Sequence, residues 1–283
     1  MSTPTPRFAF IPVMDHEIHV TEWGDPTNPP LVMWHGLART GRDFDDLAAD
    51  LAQEYFILCP DTIGRGLSSW SEDAEREYSL EYYSGIAADL LDAYGIDRAG
   101  WIGTSMGGLI GMYMASGPLS ARLNWLIVND IGPEVPQDAI DRILAYADAA
   151  PEFRTLSEVE AWLRAAYAPF GTPPDPFWRR MARTSVRRKA NGLFTTHFDP
   201  KITVQFTASA HELTSWDRFR RIALPMHLIA GTESDILPAD ILGRMQALRP
   251  GMGTTLRQGI GHAPSLSEPG DTERVRAIIA SLT

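Results

Sequence analysis

The stretch Ala99-Gly100-Trp101-Ile102-Gly103-Thr104-Ser105-Met106-Gly107-Gly108 decides how the rest of the chain is read. A short apolar run stops abruptly at Gly103, and a run of small residues opens behind Ser105. Such a pattern predicts a buried strand, a very tight turn and a helix, with one serine at the apex of the turn. Its centre, Gly103-x-Ser105-x-Gly107, fits G-x-S-x-G, which chance supplies about 0.1 times in a chain of this length. Glycines flank the serine because a turn this tight has no room for side chains there, and its strain aims the hydroxyl out of the sheet edge.

Outward from this centre, short apolar runs alternate with helical patterns. Residues 31–34, 55–59, 99–102, 123–129, 226–230 and 254–257 read as strands, and residues 8–24 as an antiparallel edge hairpin. Helices are expected over 44–53, 79–94 and 271–282, where apolar residues recur on one face. Strands alternating with helices imply a mostly parallel sheet with helices on both faces, an α/β fold. From about residue 132 to about 215 the rhythm changes to Ala-, Arg- and Trp-rich helical stretches (137–149, 157–167, 176–190) with Pro-rich breaks. The expected organisation is a core formed by 1–131 and 216–283, with 132–215 as an inserted helical cap.

A serine hydroxyl is a poor nucleophile at neutral pH and needs a base. His262, in Gly259-Ile260-Gly261-His262-Ala263-Pro264, follows the last expected strand on a loop flexible enough to bring an imidazole back over the sheet. The base needs a carboxylate partner. Asp235, after strand 226–230, is the favoured candidate, and Asp130, at the end of strand 123–129, is its rival. A developing oxyanion calls for backbone N–H donors, assigned to Met106 and to Leu37 on the loop after strand 31–34. His35 reads as a brace of that loop. Trp34, Phe170 and Phe198 are expected in the wall of a largely apolar substrate pocket.

Composition narrows the partners. The 283 residues carry a formal net charge of -11, which disfavours nucleic acid and anionic membranes. The cluster Arg179, Arg180, Arg183, Arg187, Arg188 and Lys189 is read as a solvated helix face. The single cysteine, Cys59, lies in an apolar run, so neither a disulfide nor a thiol nucleophile is expected. Neither metal spacing nor a cofactor motif is found. The N-terminal residues lack the pattern of a leader and no apolar run nears 18 residues, so a cytoplasmic protein acting on a small molecule is expected.

The set His35-Gly36, Asp61-x-x-Gly64-x-Gly66-x-Ser68, Gly103-x-Ser105-Met106-Gly107-Gly108, Asp235 and Gly261-His262 resembles the α/β-hydrolase superfamily. The resemblance is to the branch with a helical cap that includes enol-lactonases, carboxylesterases, cofactor-free haloperoxidases and carbon–carbon-bond hydrolases. It covers nearly the whole chain outside the expected cap. It implies a Ser105–His262–Asp235 triad, hydrolysis of a carboxylic ester or lactone through an acyl-enzyme, no cofactor, and a structural role for the Asp61–Ser68 loop. Relatives with an aspartate at the turn, the haloalkane dehalogenases and epoxide hydrolases, differ at Ser105. A carbon–carbon hydrolase of dienoic diketo acids is the alternative, with Arg39 or a cap arginine meeting the substrate carboxylate. A non-catalytic receptor on this fold is the third reading.

Overall fold

In the computed structural model, which describes residues 4–147 and 151–283, the expected strands follow one another in the expected order, with three short unexpected ones between residues 152 and 196. They are β1 (Arg7–Val13), β2 (His16–Trp23), β3 (Pro30–Trp34), β4 (Phe56–Pro60), β5 (Ala99–Thr104), β6 (Leu123–Asn129), β7 (Glu152–Phe153), β8 (Val186–Arg188), β9 (Phe194–Thr196), β10 (Met226–Gly231) and β11 (Gly253–Arg257). Eight of them form one sheet in the order β1-β2-β4-β3-β5-β6-β10-β11. The β1–β2 hairpin joins antiparallel, and so does β2 to β4. Every other pairing in this sheet is parallel.

Burial on both faces explains why the central strands read as continuous apolar runs. Along β3, Val32 and Trp34 face one core while Leu31 and Met33 face the other. Helices Leu80–Ala93, Met106–Ala115 and Ala239–Leu248 cover the first face, and Asp45–Leu51 and Asp271–Leu282 cover the second. Trp34 stacks on Trp101 of the neighbouring β5 with ring centroids 5.3 Å apart, a contact worth about 1 kcal/mol beyond its buried area. No helix among the described residues is long and apolar enough to cross a membrane.

Between β6 and β10 the chain leaves the sheet. Helices Gln137–Ala147, Leu156–Ala166 and Asp175–Thr184 lie there with a small sheet of order β7-β9-β8. Residues 148–149 of the first expected helix lie outside the described residues. Leu163, Phe177, Trp178, Met181 and Val186 give this segment a core of its own.

The expected helix over 176–190 ends at Thr184. Val186–Arg188 instead pairs antiparallel with Phe194–Thr196, closed by a turn through Asn191-Gly192 in which Gly192 has φ of +85°. An Asn-Gly turn between two extended runs outweighs the helical spacing of the arginines. The arginine cluster is therefore split between helix and strand, and it is not a bare solvated face. Arg180 forms a bidentate pair with Asp46 at 2.7 Å, which ties the inserted segment to the sheet-side helix Asp45–Leu51. Arg187 and Arg188 lie over the rings of Trp70 and Phe194.

Packing at the turn behind β5 is unforgiving. A Cβ on Gly107 would lie 2.1 Å from the Trp34 carbonyl oxygen, and one on Gly103 would lie 2.2 Å from the Gly107 carbonyl oxygen. Backbone cannot move aside as a flexible side chain can. Gly107→Ala is expected to lower stability by about 1–3 kcal/mol, read from urea unfolding midpoints; an unchanged midpoint would contradict this close approach.

Candidate active site

The turn between β5 and the helix Met106–Ala115 holds Ser105 at φ 52° and ψ −116°. A non-glycine residue in this region stores on the order of 1–3 kcal/mol of strain, maintained by the packing around it. The Ser105 N–H donates to the Asn129 carbonyl at 2.9 Å, which fastens the turn to the end of β6.

His262 lies on the loop after β11. Its Nε2 is 2.9 Å from Ser105 Oγ, and its Nδ1 is 2.8 Å from Asp130 Oδ2. The carboxylate partner of this imidazole is Asp130, which corrects the expectation for Asp235. Asp130 follows β6 directly, and β6 is the strand hydrogen-bonded to β5, which carries Ser105. Its side chain is fully buried and accepts from Gly231 N–H at 2.8 Å, Ser234 Oγ–H at 2.7 Å and His262. A buried carboxylate needs such donors, since losing its partners would cost several kcal/mol.

Asp235 sits farther along the loop beyond β10, where its half-exposed carboxylate accepts from Arg142 Nε at 2.7 Å. That loop does contribute to the site, but through the Gly231 amide and the Ser234 hydroxyl that hold Asp130.

The loop after β3 is fixed from below. Thr62 N–H donates to His35 Nε2 at 2.9 Å, so the proton of the neutral ring is on Nδ1, which donates to the Gly36 carbonyl at 2.6 Å. Burial pushes the His35 imidazole down to about 4. His35 is thus the brace it was expected to be.

Arg65 had no role of its own in the sequence reading beyond lying in the structural Asp61–Ser68 loop. It is fully buried, donates from Nε to the Leu37 carbonyl at 2.8 Å, and reaches Met106 Sδ at 3.5 Å. One guanidinium therefore steadies both residues assigned to the oxyanion. Its place between Gly64 and Gly66 was the available signal. Asn129 was also missed. Its Nδ2 donates to Thr104 Oγ1 and to the Pro264 carbonyl, joining the serine turn to the histidine loop. Among the described residues, neither the Leu37 nor the Met106 amide donates to a protein acceptor.

Asp61 lies below the site. It accepts from the Gly41 and Leu67 amides and lies 2.8 Å from His19 Nδ1, so the loop through Ser68 is a knot of internal hydrogen bonds.

A cavity of about 700 Å³ opens over Ser105 and His262, walled by Leu37, Ile143, Tyr167, Phe170, Phe177 and Ile236. Phe170 is where it was expected. Trp34 and Phe198 are not in this wall. Trp34 is fully buried beneath it, with Nε1–H donating to Thr62 Oγ1 at 2.8 Å, and Phe198 packs in the main core beside its bridge to Arg65. Arg39 lines the cavity, paired through two nitrogens with Asp43 and stacked over Tyr167.

Fold and site together define a hydrolase of the α/β type. The chain matches the model of the alpha/beta hydrolase family over residues 31–275, and it belongs to that family. It is 36% identical over 279 residues to the 3-hydroxybutyrate-oligomer hydrolase of Cupriavidus necator, with 94% of each chain covered. The crystal structure of an alpha/beta hydrolase from Novosphingobium aromaticivorans superposes with a TM-score of 0.84 at 31% identity, covering 99% of both chains. E-2-(acetamidomethylene)succinate hydrolase shares the fold, with a TM-score of 0.83 at 20% identity over 98% of both chains.

The buried neutral His35 makes stability depend on pH. Unfolded, this histidine takes its proton near pH 6.5; folded, only near 4. Between these values the unfolded chain binds the extra proton, so stability falls as pH falls through that window, by about 3 kcal/mol in all. Urea midpoints measured from pH 7 to 4 are expected to fall more steeply for wild type than for His35→Gln; parallel curves would contradict this.

Proposed function

We propose that the protein hydrolyses carboxylic esters through a Ser105–His262–Asp130 triad and an acyl-enzyme intermediate. One observation carries the reading: a single imidazole spans 2.9 Å to the Ser105 hydroxyl and 2.8 Å to a buried carboxylate. His262 Nε2 accepts the serine proton as Oγ adds to the ester carbonyl. Asp130 fixes the tautomer and stabilises the imidazolium. The Leu37 and Met106 amides receive the tetrahedral oxyanion, and Arg65 and His35 hold them in place beforehand. The intermediate collapses as His262 returns the proton to the leaving alcohol, and water activated by the same imidazole then releases the acid.

The inserted segment serves in this reading as a cap that roofs the cavity and sets substrate choice. The relative from Cupriavidus necator makes oligoesters of 3-hydroxybutyrate the substrate class to test first. A dienoic diketo acid is less favoured. Its carboxylate would need a guanidinium in the cavity, and those of Arg39 and Arg142 already hold Asp43 and Asp235.

Hydrolysis of p-nitrophenyl butyrate tests the triad. Ser105→Ala is expected to abolish turnover. Asp130→Asn should lower kcat by roughly 10⁴-fold, the scale seen when a triad acid loses its charge in a serine protease. Asp235→Asn, which breaks only an exposed pair, should stay within a few-fold. Turnover that survives Ser105→Ala, or a large loss in Asp235→Asn with little in Asp130→Asn, would overturn the assignment.

A further inference from the structure

A second, smaller cavity adjoins Ser105 on the side of Met106. It measures about 40 Å³ and is walled by Leu80, Leu109, Ile131, Val135 and Leu213. So small a space beside the serine suits a short acyl group and not a long one. Gln205 and Ser209 also line it. Both are more than nine-tenths buried, at 8% and 7% exposure. Among the described residues neither side chain makes a hydrogen bond, and the polar atoms of neither are sealed from solvent. An amide and a hydroxyl with no protein partner thus line one small space beside the candidate nucleophile.

Glu212 gives this space a polarity. Its carboxylate lines the same cavity and accepts from the Leu80 and Glu81 amides at 2.7 and 3.0 Å, with no ion pair among the described residues. A substrate carboxylate placed here would meet a second carboxyl in a desolvated site, which is strongly unfavourable. A substrate hydroxyl meets hydrogen-bonding groups. The larger cavity, about 700 Å³ and bordered by the half-exposed Arg142 and Asp235, has room for the rest of the chain and leaves its terminal carboxylate in water.

We infer that the small cavity is the acyl subsite, that Gln205 and Ser209 bind a 3-hydroxyl there, and that oligoesters of 3-hydroxy acids are cut one unit at a time from the hydroxyl end. This rests on the esterase reading above and deepens it. Ser105 Oγ adds to the carbonyl of the hydroxyl-terminal unit. The bond from that carbonyl carbon to the next unit's 3-oxygen breaks. That oxygen takes the proton held by His262 and becomes the new terminal hydroxyl of the shortened chain. Water then frees the 3-hydroxy acid from Ser105.

The test is a linear 3-hydroxybutyrate trimer labelled with ¹³C only in its hydroxyl-terminal unit, digested by the wild-type protein and followed by mass spectrometry. Labelled monomer and unlabelled dimer are the expected first products, and methylation of the terminal hydroxyl should slow release at least about tenfold, the scale of one lost hydrogen bond. Unlabelled monomer appearing first, a mixture of both, or indifference to the methyl cap would overturn the assignment. Gln205→Met and Ser209→Ala should each lower the ratio of kcat/KM for p-nitrophenyl 3-hydroxybutyrate over p-nitrophenyl butyrate by roughly tenfold; an unchanged ratio in both would overturn it as well. A protein that cleaves p-nitrophenyl butyrate but not the trimer contradicts the subsite alone, whereas one inert on every ester contradicts the triad reading.

Discussion

The hydrogen bond from the His262 imidazole to the buried Asp130 carboxylate is the constraint on which the proposed chemistry depends. It decides which nitrogen carries the proton, and so leaves Nε2 facing Ser105 as an acceptor. Asp130 can remain buried because two further donors, the Gly231 amide and the Ser234 hydroxyl, share its charge. These groups come from the ends of three strands, β6, β10 and β11, so the interaction exists only once the sheet has formed. The fold is in this sense the device that brings a serine, an imidazole and a carboxylate to one place.

Rigidity beneath the site has the same origin. Trp34 and Trp101 stack between neighbouring strands, and Gly107 brings the helix against the backbone of β3. His35 and Arg65 then lock the loop that carries Leu37. Positions fixed before substrate arrives need no rearrangement as charge develops, which is the advantage of a preorganised site. Above the sheet the inserted segment is anchored by Arg180 to Asp46 and reaches the cavity mouth through Arg142. In the proposed reading, substrate choice falls to a part of the chain built separately from the reacting groups.

Much of this was legible in the sequence, and what was not has physical reasons. Strands buried on both faces announce themselves as apolar runs, so β3, β5, β6 and β10 were found nearly to the residue. The serine turn was readable because only glycine tolerates such close backbone approach. The carboxylate partner of His262 was misplaced because sequence order does not reveal how far a loop travels. Asp130 and Asp235 both follow strands at the same sheet edge, but Asp130 is the first residue past its strand while Asp235 is carried outward to Arg142. Trp34 and Phe198 were misplaced because aromatic character does not say which face a side chain takes. The β8–β9 hairpin was hidden by arginines at helical spacing, although Asn191-Gly192 marked it. Arg65 and Asn129 act through long-range hydrogen bonds; the glycines on either side of Arg65 hinted at its burial, and no local pattern marked Asn129.

Reaction with a fluorophosphonate probe, mapped by peptide mass spectrometry, tests the central claim without reference to any particular substrate. The account predicts one adduct on Ser105, formed orders of magnitude more slowly in Asp130→Ala and at nearly the wild-type rate in Asp235→Ala. A folded wild-type protein left unlabelled at Ser105, or labelling as fast without the Asp130 carboxylate as with it, would contradict it.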